Sequence, residues 1–121
     1  MAAARDEFLQ DVRDYVEAGE RLREGIAAFN AMNTAALEDL EGGMTLTESF
    51  DRRDSAAWSR QVTGLLDEFE ACRRKTRLSA AQALQDEGQT TRSIASAFGT
   101  TRQWAERILR GAPPKEQNGA G

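Results

Sequence analysis

Four consecutive residues, Thr100, Thr101, Arg102 and Gln103, come directly after a glycine at Gly99 and open a short stretch that ends Arg107-Ile108-Leu109-Arg110. Their side chains suit one task, the reading of a flat polar edge. An arginine fork donates to two acceptors at once, as guanine O6 and N7 present them, and a glutamine amide matches adenine N6 and N7. Glu106 adds an acceptor that a cytosine amino group would satisfy. Arg107 and Arg110 lie about one and two turns further along and suit phosphates, as does Arg92 upstream of the glycine. Thr101, Arg102 and Gln103 would occupy the first turn of a helix, the part that enters a major groove in helix-based readers.

Such a helix needs a scaffold, and residues 91–110 read as two short helices joined by a glycine turn. Ala95 and Gly99 are four residues apart. Where two helices cross closely, the contact residue on the first must be small, and Ala95 is. The turn needs a residue that tolerates positive φ, and Gly99 does so without steric cost. Ile94, Phe98 and Ile108 are placed to fill the wedge, with Trp104 beside them. A threonine at the start of the second helix can cap it. Residues 80–90, AAQALQDEGQT, supply a preceding helix.

This stretch resembles the helix-turn-helix of sigma-factor region 4 and of resolvase-type recombinases. The likeness covers residues 79–110, about a quarter of the chain. It implies a C-terminal tri-helical unit that reads double-stranded DNA. The family pattern has Ile or Val after the turn glycine and again midway along the recognition helix, where this chain has Thr100 and Ala105. Nothing here resembles a recombinase catalytic domain.

Charge divides the chain at the same place. Residues 1–72 hold 7 Arg and no Lys against 16 carboxylates, a net of −9. Residues 73–110 hold 8 basic residues against 3 acidic, a net of +5. Arg73, Arg74, Lys75 and Arg77 open the basic segment and join the candidate DNA contacts. Phosphate binding draws on local positive charge, because released counterions supply most non-specific affinity. The acidic segment repels DNA and must point away from it. A solvated helix face is the plainer reading of the Arg run.

The acidic segment reads as two long helices. Phe8, Val12, Tyr15, Gly19, Leu22, Ile26 and Phe29 are spaced in alternating steps of four and three. That is the seam of an antiparallel hairpin or a coiled coil. Trp58, Val62, Leu65, Phe69 and Cys72 repeat it on a second helix. A bend or restart fits Asn30–Thr34, and Gly42-Gly43 ends the first helix. Thr45-Leu46-Thr47-Glu48 has the spacing of a capping box, and Asp54 or Ser55 can cap the second long helix. That helix either runs on past Cys72 or breaks at Leu78-Ser79. Leu9, Val16, Leu37 and Leu66 lie off the seam, which favours a homodimer through Phe8, Val12, Tyr15, Leu22, Ile26 and Phe29 over a monomeric hairpin.

These patterns predict an all-α chain. An acidic helical dimerisation part spans 1–72, a basic helix-turn-helix 73–110, and a disordered tail 111–121. Histidine is absent and Cys72 is the one cysteine, so no metal site, cofactor or catalytic residue is expected. No secretory signal or apolar span appears, which fits a cytoplasmic location without membrane contact. The expected function is a dimeric transcriptional regulator. The alternatives are a protein-interaction module that uses its acidic part, and a nucleoid-associated protein without sequence preference.

Overall fold

A computed structural model describes residues 2–111. Among them there is helix and no strand. The helices are α1 (Ala2–Glu41), α2 (Leu46–Arg53), α3 (Ser55–Asp86), α4 (Thr91–Ala97) and α5 (Arg102–Leu109). The all-α expectation holds, and α1 and α3 are long. The tail beyond Gly111 lies outside the described residues.

The helices form two compact units. One is Asp14–Cys72; the other takes the chain up to Arg13 together with the chain from Arg73 on. The division at 72/73 coincides with the charge boundary, and the first thirteen residues group with the basic segment. By composition the Asp14–Cys72 unit carries 5 basic against 13 acidic residues, a net of −8. The other carries 11 against 7, a net of +4.

In the acidic unit α1 and α3 run antiparallel. Tyr15 meets Phe69 with ring centroids 5.0 Å apart, and Phe29 meets Trp58 at 6.2 Å. Arg21 bridges to Glu68, with Nε at 3.2 Å. Gly19 on the stripe and Gly25 beside it both face side chains of α3. A Cβ on Gly19 would lie 3.4 Å from the Phe69 ring, and one on Gly25 only 2.2 Å from Leu65 Cδ1. α1 does not restart at Asn30–Thr34 but continues unbroken to Glu41. It ends at a glycine turn, with Gly43 at φ 109 and the Met44 N–H donating to the Asp39 carbonyl.

Short-range chemistry then shapes the tip. The Glu48 N–H donates to Thr45 Oγ1 at 3.1 Å, and the Thr45 N–H donates to Glu48 Oε1 at 3.0 Å, which closes the capping box. Asp54, at φ 48, ends α2 while its carboxylate accepts from the Ala57 N–H at the start of α3. Asp39 receives both Arg52 and Arg53. The Thr45 backbone and hydroxyl donors hold the Glu48 carboxyl below its ordinary value, and Arg21 does the same for Glu68. Both contributions are present above the usual carboxylate range and are lost as pH falls through the depressed values.

Gly64 differs from Gly25, because a Cβ there would meet nothing within 4 Å. Gly64→Ala should therefore stabilise the protein by about 1 kcal/mol through helix propensity alone. Gly25→Val should destabilise it by about 1–3 kcal/mol through overpacking against Leu65. Urea unfolding monitored by circular dichroism reads both, and equal responses at the two positions would contradict this packing.

Candidate nucleic-acid interface

The basic unit is built on alanines. Ala81 on α3, Ala95 on α4 and Ala105 on α5 are buried together with Ile94 and Ile108. Leu78, Leu84, Phe98, Trp104 and Leu109 pack around them. Of the two courses open to the second long helix, it runs on past Cys72 without a break at Leu78-Ser79. Ser79 is buried, and its hydroxyl donates to the Thr76 carbonyl at 3.2 Å within an unbroken α3. Burial consumes the hydroxyl inside the helix, so it caps nothing. α3 stops instead at Gly88, which has φ 93.

The α4–α5 connection takes the form that its residues favour. Gly99 has φ 64, and the Thr100 N–H donates back to the Ala95 carbonyl at 2.9 Å. That six-residue closure around a left-handed glycine satisfies the last carbonyls of α4. Thr101 Oγ1 accepts from the Trp104 N–H at 3.1 Å and caps α5. Thr90 caps α4 in the same way through the Ser93 N–H.

Ala105 and Ile108 face inward on α5, and this fixes what faces outward. Thr101, Arg102, Gln103 and Arg110 are exposed, and Thr100, Glu106 and Arg107 are half-buried. Arg102, Glu106 and Arg110 recur at helical spacing of four along one face. Arg102 Nε donates to Glu106 Oε2 at 3.1 Å. Arg107 Nε is buried with no hydrogen-bond partner among the described residues. Arg92 is exposed on α4.

The basic run on α3 is used differently. The Arg77 guanidinium lies over the Trp104 ring at 4.5 Å from its centroid and over Phe98 at 5.7 Å. Those rings meet edge to face at 5.4 Å. Arg77 thus joins α3 to the start of α5, a cation–π contact whose strength grows with desolvation. Lys75 faces Asp11 at 3.4 Å, and Asp11 is only 4% exposed. Arg73 is half-buried and Arg74 exposed, and both also interact within the chain.

Sequence reasoning does not single out Asp11. Its carboxylate is buried in this unit, and its carbonyl accepts from the Thr76 hydroxyl at 3.2 Å. The one signal for it is an acid beside Phe8 and Val12 on the stripe. Phe8, Leu9, Leu84 and Phe98 also line an apolar hollow of about 230 Å³ in this unit. The seam residues are therefore shared out. Phe8 and Val12 are half-buried in the basic unit, and Tyr15, Leu22 and Phe29 are half-buried in the acidic one. Ile26 is 39% exposed.

Among the described residues, no group of His, Cys, Asp and Glu is arranged to hold a metal ion. No described helix is long and apolar enough to cross a membrane. No family model, curated protein or solved structure matches the chain.

The alanine core makes a sharp prediction. Ala105 is completely buried, whereas Ala97 on α4 is exposed. Ala105→Leu should cost about 1–3 kcal/mol by overpacking. Ala97→Leu should stay within about 0.5 kcal/mol of the parent. Thermal unfolding of the two variants compares them directly.

Proposed function

We propose that the chain is a DNA-binding regulator that sets α5 into the major groove of duplex DNA. One observation carries this reading. The inward face of α5 is locked by Ala105 and Ile108, while Arg102, Gln103 and Arg110 are exposed in a unit of net charge +4. A fixed helix with directional donors on its outer face has the chemistry of direct base readout. Thr100, Thr101 and Arg107 flank those donors, and Arg92, Arg73 and Arg74 add positive charge to the same unit. Arg77 and Lys75 contribute to the field while holding internal contacts. The α3–α4–α5 arrangement serves as the tri-helical reader, and the work is done in the cytoplasm.

The regulator acts as a homodimer in this reading. Ile26, Val16 and Leu66 are exposed apolar residues of the acidic unit and form the candidate contact. Two units of net −8 repel, so association should strengthen with salt while DNA binding weakens. A second reading, a protein-interaction module, is favoured by Leu46 and Phe50. They lie one turn apart on α2 and are 65% and 60% exposed, and they form an apolar pair in a unit of net charge −8.

Binding to a selected duplex and to random DNA separates these readings. Arg102→Ala should cost about 1–3 kcal/mol on the selected site and relax preference at one base pair. Arg110→Ala should weaken all sequences about equally and lower the salt slope by about one. An Arg102→Ala variant that stays folded with both affinities unchanged would favour the protein-interaction module. Binding without preference would favour the nucleoid-type protein. Ile26→Asp should abolish dimers in light scattering while leaving the circular dichroism intact, since Ile26 is at the surface. A parent protein that is monomeric at high salt would end the dimer claim.

A further inference from the structure

Arg102 occupies the first position of α5, where helix energetics disfavour a cation. The aligned peptide dipoles already place positive charge at that end. Its partner Glu106 lies four residues C-terminal, the less favourable order for such a pair. Thr101 already supplies the cap. Helix stability therefore gains little from the pair, yet its geometry is definite. Glu106 Oε2 takes the Arg102 Nε at 3.1 Å, and the two side chains are 63% and 38% exposed. The two Nη nitrogens form the other edge of the fork.

The charge of the pair selects its ligand. A phosphate gains from a lone cation, and the adjacent carboxylate cancels that gain while repelling the anion. An acidic protein side chain meets the same repulsion. A neutral edge with two acceptors is not repelled, and it gains from a fork already held in direction. In the major groove guanine O6 and N7 form that edge, whereas adenine offers one acceptor and one donor.

We infer that Glu106 is a positioning residue that aims Arg102 at a base edge and makes guanine the base read there. The inference rests on the duplex-reading function proposed above. It gives Glu106 an intramolecular role in place of a direct contact to cytosine.

The test uses the full chain, selection from a randomised duplex library, and binding measured across salt concentrations. The parent should select guanine at one position of its site. Glu106→Ala should lower that preference about tenfold. The same variant should bind random duplex more tightly, with a salt slope steeper by about one phosphate, because Arg102 is released to the backbone. A residue that only supported the fold would not steepen the slope. Glu106→Gln, which keeps an acceptor oxygen and drops the charge, should retain part of the preference. An unchanged guanine preference in Glu106→Ala would overturn the inference and leave duplex reading standing. Failure of the parent to bind any duplex would overturn both.

Discussion

Three alanines set the terms for the basic unit. Ala81, Ala95 and Ala105 each belong to a different helix, and all are buried in one core with Ile94 and Ile108. A buried residue with a single side-chain carbon brings neighbouring backbones close, because interiors leave no space unfilled. The glycine turn at Gly99 and the threonine caps at Thr90 and Thr101 are consistent with that spacing. The inner face of α5 is thereby committed to packing, and its outer face is left to polar residues. The Arg77 guanidinium across Phe98 and Trp104 adds a link from α3 to the α4–α5 turn.

Electrostatics then distinguishes the two units. The Asp14–Cys72 unit holds most of the negative charge, and its arginines are largely spent on neighbouring carboxylates such as Glu20, Asp39 and Glu68. The basic unit spends charge too, through Lys75 on Asp11 and Arg77 on two rings. Arg92, Arg102 and Arg110 sit at its surface. Net charge at the level of the whole chain, −4, conceals this arrangement. Exposed apolar side chains are concentrated in the acidic unit, at Val16, Ile26, Leu37, Leu46, Phe50 and Leu66. That is where a partner or second copy would find contact area.

Features decided by a few adjacent residues were legible in the sequence. The capping box at Thr45 and Glu48, the positive φ of Gly99 and the cap at Thr101 all arise from local chemistry. Features decided by distant contacts were not. Ser79 has the look of a cap, but tertiary burial turns its hydroxyl back onto Thr76. The stripe from Phe8 to Phe29 keeps one period throughout, so it cannot tell which partner each turn meets. Its first members fall in the basic unit and the rest in the acidic one. Ile26 shares the period yet stays exposed, because helical spacing fixes a face and not how far the packing extends along it. Asp11 offers only its place beside Phe8 and Val12 as a signal of burial, and an acid at the edge of an apolar stripe is usually solvated. For the candidate interface, residue types on α5 were readable, whereas the Arg102–Glu106 and Arg77–Trp104 contacts depend on rotamers that no spacing encodes.

The most direct measurement is an equilibrium titration of the full-length protein against a random-sequence duplex over a range of salt concentrations. If the basic unit binds DNA through its surface arginines, the logarithm of the binding constant should fall linearly with the logarithm of salt, with a slope of about −3 to −5. A flat dependence, or no binding at the lowest salt, would contradict a DNA-binding role for this chain.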